Sequence, residues 1–529
     1  MKNHDKYFAI FLSILTVVVI FSCQSENSLN KNKSFPLNEI TISQIQHGYA
    51  DGTYTIRQIV QLYLDRIKAI DQNGPKLNAI IMINPDAMQI ADSLDKELTS
   101  GHSRGALYGI PVILKDNIDT HDKMPCTAGS RILKDSYPLQ DSWVARKLRE
   151  AGAVILGKAN LSEWANYRAS FSSSGWSGIG GQTNNPYVLD RNPCGSSSGS
   201  AVAVSANLCA VAVGTETWGS IICPSNANGI VGIKPTVGLW SRAGIVPISY
   251  TQDTAGPMAR TVKDAAILLG AVTGVDSSDQ KTLAGNGKFY PDYTQFLKTD
   301  GLKDKRIGYL KSNEGKHFKD DTLMHQAVRY LRNHGAEIVE LDQIVEGTPY
   351  TNSYDVMAYE FKDGLKKYFA RFGENAKVKT LKDVIDKTLA DSLEMIHFDV
   401  QVMEEAQEKS DLDSKEYRDA VINMLKAYRE KGIDKIMDEN HLDAIIAPSG
   451  GPAWKTDLIN GDNFMLSSSV YAALSGYPNI NVPIGFIDDV PVGMCIFGRA
   501  WSEPVLIEIA YAYEQGTHHR KAPEFINTD

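Results

Sequence analysis

Between Cys194 and Ser220 the chain reads CGSSSGSAVAVSANLCAVAVGTETWGS, eight serines and threonines set among glycine, alanine and valine without one histidine. A Ser/Gly run on its own reads as a flexible linker. Here, however, AVAVSANLCAVAVGTE follows at once and is too apolar to stay in water. The stretch is expected to form a small-residue helix over about 199–207, packed closely on a neighbour, and then a buried strand over about 210–215. Ser220 falls in a turn beside Gly219, just past the carboxyl end of that strand, where α/β proteins place their chemistry.

A serine is a weak nucleophile at its free pKa and needs a proton acceptor. With no histidine in the stretch, the nearest upstream candidate is Lys115, in GIPVILKDNIDT, where an apolar run delivers a single lysine and then turns polar. A lysine can act as a base if burial brings its pKa from about 10.4 towards about 7–8, a shift of roughly 4 kcal/mol. The alternative is a lysine that snorkels from a strand end.

The order of these pieces resembles the amidase signature family. That family carries a lysine after a GxPxxxKD-type strand, a Gly/Ser loop with one serine, and a second serine after a Thr/Glu-rich turn. GIPVILKDN supplies Lys115, CGSSSGSA supplies Ser196 and GTETWGSI supplies Ser220. The resemblance extends upstream through RIKAIDQNGPKLNAI, AVILGKANLSEWANYR and GGQTNNPYVLDRNPC. Downstream it takes in GIVGIKPTVGLWSRAGIVPIS, GPMARTVKDAA, PNINVPIGF and PVGMCIFGRAWSEP. It spans about residues 40–525, loosely over 280–440, and CGSSSGS with GTET is most similar to the peptide-amidase branch.

The resemblance implies a cofactor-free and metal-free amidase. Ser220 would attack the amide carbonyl to form an acyl-enzyme, and Ser196 would bridge Ser220 to neutral Lys115. The backbone N–H groups of Thr217, Trp218, Gly219 and Ser220 would form the oxyanion hole. It also implies a cis peptide bond before Ser196, where Gly195 offers steric relief. The substrate would be a carboxamide, a peptide C-terminal amide first, with aryl or aliphatic amides as the alternative.

One position departs from the family, which usually has Asp or Gly two residues before the nucleophile; this chain has Trp218. The indole either walls the acyl pocket or turns into the core while only its N–H serves. If it filled the site, the chain would be a binding protein without activity on the same fold. Cys194 and Cys223 flank the serines without a nearby histidine, so they read as packing residues and not as nucleophiles. His518 and His519 read as a solvated helix end, because no cluster around them has metal-ligand spacing.

The first residues suggest an address outside the cytoplasm. Lys2 and Lys6 precede an apolar run from Tyr7 to Phe21 that ends in IFSC. This reads as a signal peptide over 1–22 whose Ser22–Cys23 step resembles a bacterial lipoprotein box, with Cys23 becoming the lipidated first residue. An uncleaved N-terminal anchor is the alternative. The polar stretch QSENSLNKNKS then fits a tether over 23–38. Export is at odds with the tRNA-dependent amidotransferase subunits of the family, and a net charge of −9 argues against a nucleic-acid surface. Once Cys23 is set aside for lipid, the five remaining cysteines are an odd number and do not look like a disulfide framework.

Length alone would divide 529 residues into about three domains. Family-like segments at both ends instead call for one large α/β domain over 39–525, a mixed central sheet with helices on both faces. Strand-like runs stand at Ile110–Leu114, Val154–Leu156, Ala210–Thr215, Arg306–Leu310, Ala444–Ala447, Asn479–Val482 and Val492–Phe497. A helix over Thr55–Ile70 puts Ile56, Ile59, Val60, Tyr63 and Ile67 on one stripe. The charged, helix-patterned stretch within 315–440 is expected to be a substrate-side insertion, with the aromatic stripe of YDVMAYEFKDGLKKYFARF reading as helix core.

Overall fold

The computed structural model describes residues 35–347 and 349–528. The chain divides into two units, Met1–Ile40 and Thr41–Asp529, and the second holds the sheet and the cleft. The expected signal peptide, Cys23 and most of the tether lie outside the described residues.

Among the described residues the strands are, in chain order, β1 Ile80–Ile83, β2 Pro111–Lys115, β3 Val154–Ala159, β4 Trp176–Ser177, β5 Gly181–Gln182, β6 Val211–Glu216 and β7 Val231–Lys234. They continue with β8 Thr254–Ala259, β9 Arg306–Leu310, β10 Glu337–Leu341, β11 Ala444–Pro448, β12 Asn479–Ile487 and β13 Val490–Phe497. All but the small β4–β5 ribbon join one eleven-stranded sheet, ordered β1-β3-β2-β6-β8-β7-β12-β13-β11-β9-β10. The sheet is mixed: β2 runs parallel to β3 and β6, and β9 to β10 and β11, while the β6–β8, β7–β12 and β12–β13 pairs are antiparallel. The β7–β12 seam, with Lys234 opposite Asn479, joins the two halves of the chain into one sheet.

Strands β2, β3, β6, β8, β11 and β13 are buried at every residue, without alternation. Burial of both faces is what helices on both sides of a sheet produce. The helix Ile56–Arg66 shows how sequence sets this packing. Thr55 and Gln58 form a reciprocal capping box that fixes its start. Ile56, Ile59, Val60 and Tyr63 turn inward, while Arg57, Gln61 and Asp65 stay in water.

The helix Ser198–Ser205 is buried on every side. Only small residues allow so close an approach: a Cβ on Gly199 would stand 2.3 Å from the Ala79 carbonyl oxygen. Ser200 Oγ donates to Val213 O of the neighbouring strand at 3.0 Å, and Ser198 Oγ donates back to the Cys194 carbonyl at 2.6 Å. The expected helix thus forms, starting one residue earlier and ending two residues earlier than the pattern indicated.

The stretch 315–440 is not helical throughout. The helix Phe318–Asn333 is followed by β10, an edge strand in which Leu341 alone is fully buried. The helices Thr351–Ala370, Leu381–Ala390, Gln401–Gln407 and Lys415–Leu425 come after it. The aromatic stripe of Thr351–Ala370 is split between two environments. Tyr359, Phe361, Tyr368 and Phe369 are buried, whereas Tyr354 is 55% exposed.

Candidate active site

Lys115 is the last residue of β2, and parallel β6 beside it pairs Val213 with Leu114. The two strands end on the same edge of the sheet, so the lysine side chain meets Thr215 as β6 finishes. Lys115 is fully buried. Its Nζ lies 2.7 Å from Ser196 Oγ, 2.8 Å from Thr215 Oγ1 and 3.3 Å from the Thr215 carbonyl oxygen. Asn117 Nδ2 donates to the same Thr215 hydroxyl at 3.0 Å. Burial brings the Lys115 amine down from its ordinary value to about 7, against the smaller opposing pull of Asp253 and Glu216.

Ser196 is fully buried and follows a cis peptide bond from Gly195. Gly195 is fixed by space: a Cβ there would stand 2.2 Å from Ser162 Oγ. The neighbouring Ser197 ties this loop to both β6 and the second serine. Its Oγ donates to Thr215 O at 3.0 Å, and its N–H donates to the Ser220 carbonyl at 3.1 Å. Ser220 is 7% exposed and stands on the floor of an open cleft of about 1420 Å³.

The turn Thr217–Ser220 is braced from below. The Glu216 carboxylate accepts the Ile221 and Ile222 N–H groups at 2.8 and 3.0 Å, and the Gly219 N–H also lies near it. Thr217 Oγ1 donates to Asp253 Oδ1 at 2.5 Å, while Asp253 Oδ2 accepts the Ile248 and Ser249 N–H groups. Gly219 has φ +81°, and a Cβ there would meet Ser469 Oγ at 2.8 Å. Both facts require glycine at this position.

The structure therefore brings Lys115 and Ser196 into contact and places Ser220 with Thr217, Trp218 and Gly219 at the cleft. Trp218 lines the cleft and is only partly buried, packing also against the buried clusters that contain Phe361 and Met424. Its ring centre lies 5.6 Å from that of Tyr354 and 6.5 Å from that of Tyr350. Thr215, Asn117, Glu216 and Asp253 were not singled out from the sequence. TET and the Asn of KDN stood inside the quoted motifs, but nothing in their spacing says which side chain meets the lysine.

Two readings of the cysteines are corrected. Cys194 and Cys223 form a disulfide with a Cα–Cα distance of 5.9 Å, and Cys126, Cys209 and Cys495 are free and buried. Among the described residues the fold pairs the two cysteines that flank the serine loops and leaves the other three as thiols, which is how an odd total still contains a bridge. At the chain end, His518 caps the helix Glu503–Thr517, but His519 is half-buried, its ring centre 6.0 Å from that of Tyr513.

Fold and cleft together define an α/β protein with a buried lysine–serine pair beneath an open serine-bearing turn. The chain belongs to the Amidase family, which it matches over residues 58–507. It is 41% identical to a probable amidase of Arabidopsis thaliana over 528 residues, covering 97% of each chain. The native peptide amidase of Stenotrophomonas maltophilia superposes with a TM-score of 0.90 at 45% identity, covering 93% of this chain and 99% of that one. A glutamyl-tRNA(Gln) amidotransferase subunit of Microcystis aeruginosa is 35% identical over 503 residues, covering 92% of this chain and 100% of that one. The protein is a hydrolase of amide C–N bonds.

Proposed function

We propose that the protein hydrolyses carboxamides through Ser220, Ser196 and Lys115, with peptide C-terminal amides as the preferred class. The observation that carries this reading is the 2.7 Å contact between Ser196 Oγ and the fully buried Lys115 amine. With its amine brought down to about 7, Lys115 is largely neutral at slightly alkaline pH. A neutral amine has two N–H bonds and one lone pair. The Thr215 carbonyl and hydroxyl oxygens take the two N–H bonds, which leaves the lone pair for the Ser196 hydroxyl.

Ser220 Oγ attacks the carboxamide carbon, its proton passing to Ser196 as the Ser196 proton passes to Lys115. The carbonyl π electrons move to oxygen, where the N–H groups of the Thr217–Ser220 turn receive the negative charge. Removing one such donor typically costs about 3–4 kcal/mol of transition-state stabilisation. Collapse of the tetrahedral intermediate breaks the C–N bond as the proton returns through Ser196 to the leaving nitrogen, releasing ammonia or an amine. Water then attacks the acyl-Ser220 ester, delivering its proton along the same path and regenerating the hydroxyl with release of the acid.

The likeness to a peptide amidase supports the substrate class, as does the cleft, which is large enough for several residues of an extended chain. We also propose that the enzyme is exported and held to a membrane through Cys23. The Cys194–Cys223 bridge supports export, because structural disulfides persist in oxidising compartments. Export likewise sets it apart from a cytosolic amidotransferase component.

Ammonia release from a panel of peptide, aryl and aliphatic amides tests the function. Ser220→Ala and Lys115→Ala are each expected to lower kcat at least about a thousandfold. Lys115→Arg should fail as well, since guanidinium does not deprotonate near neutral pH. Retained turnover in the arginine variant would remove Lys115 as the base.

A further inference from the structure

We infer that Trp218, Tyr350 and Tyr354 form an aromatic subsite for the side chain of the residue whose carboxamide is cleaved, and that this subsite selects aromatic and large apolar residues. The inference rests on the proposed role of Ser220 for its position and on the cleft's own geometry for its chemistry.

Trp218 stands two residues before Ser220 in the same turn, so its indole borders the substrate next to the reacting carbonyl. Tyr350 and Tyr354 pack beside it from the start of the helix Thr351–Ala370. The Trp218 and Tyr354 rings are tilted by 39° with centres 5.6 Å apart, and Tyr350 is tilted by 55° at 6.5 Å. The two tyrosines are 39% and 55% exposed, so the protein leaves much of their surface uncovered inside a cleft. Met357 and Ala358 of the same helix continue the wall. An offset aromatic side chain is the natural complement of such a surface.

The leaving group strengthens the assignment. A primary carboxamide loses only ammonia, which can fill almost none of a cleft of about 1420 Å³. Nearly all recognition then falls on the acyl side, and binding there is what lowers the barrier. The same cleft carries Asp355, Glu405, Glu408, Glu416 and Asp462 against Lys316 and Lys409, and Lys409 is already paired with Asp355 and Glu416, which leaves the lining net acidic. Acidic side chains of a substrate would meet like charge there.

The test uses N-acetyl dipeptide amides that differ only in a C-terminal phenylalanine, leucine, glycine or glutamate amide. Native enzyme is expected to favour phenylalanine over glycine by about tenfold or more in kcat/KM, with glutamate the poorest. Tyr354→Ala should lower the phenylalanine-to-glycine ratio at least about fivefold, mainly through KM, and Tyr354→Phe should restore it. Binding of the phenylalanine and glycine amides to Ser220→Ala, with and without Tyr354→Ala, reports on the subsite without chemistry. A Ser220→Ala protein that still hydrolyses amides would remove the proposed nucleophile, and the binding ratio would still decide the subsite. A phenylalanine-to-glycine binding ratio near one, or one unmoved by Tyr354→Ala, overturns the inference.

Discussion

Lys115 is buried with no carboxylate within ion-pair distance among the described residues, which makes the ammonium ion costly and brings the amine down to about 7. Its position follows from strand geometry, because the final residue of β2 points where β6 delivers Thr215. The proposed base function requires the neutral amine, so kcat/KM should rise with pH through about 7 and level off above it. A profile that falls across that range would mean that the charged lysine is the active form. Thr215→Val keeps the shape but removes the hydroxyl that receives one Lys115 N–H and the Asn117 amide. It is expected to lower kcat about 10- to 100-fold and to displace the acidic limb of the profile, a displacement that mere destabilisation would not produce.

At the level of elements, two loops must hold their serines in register, and they are joined twice. Ser197 bonds to the Ser220 carbonyl, and Cys194 is bridged to Cys223, three residues past Ser220. A crosslink over 29 residues stabilises by about 3–4 kcal/mol through the unfolded chain. Cys194→Ser with Cys223→Ser should lower the thermal midpoint and also reduce kcat, because the bridge spans the segments that carry Ser196 and Ser220. An unchanged kcat in the folded double variant would leave the bridge a purely structural role.

The same region shows what the sequence makes legible. Small residues in a run specify close packing, so the helix Ser198–Ser205 and β6 could be read directly. Strand β8, TAGPMA, could not, since Gly256 and Pro257 argue against a central strand. It is accommodated because β7 pairs only with Met258 and Ala259, leaving Pro257 without a β7 partner. The bridge and the Thr215–Asn117–Lys115 contacts escaped because they are properties of tertiary placement. Tyr354 escaped for a related reason. Its helix carries one aromatic stripe, and only the position of the opposite wall decides which ring faces the cleft.

For the whole molecule, the β7–β12 seam lets segments more than 200 residues apart share one sheet, which is why the family resemblance spans both chain ends. The helices after β10 then close one side of the cleft, with Tyr350, Tyr354, Asp355 and Lys409 on its wall. The proposed address is testable at this scale too. Cys23→Ala should abolish incorporation of a labelled fatty acid and leave the precursor uncleaved at residue 23 by mass. A native protein that carries no fatty acid and retains residues 1–22 would favour an uncleaved anchor.

The proposed Ser–Ser–Lys chemistry meets its most direct test in fluorophosphonate labelling followed by peptide mass mapping across pH 5–9. A single adduct on Ser220 is expected, forming faster as pH rises through about 7 and abolished in both Lys115→Ala and Lys115→Arg. An adduct on another residue, or a Ser220 labelling rate unaffected by loss of Lys115, would contradict it.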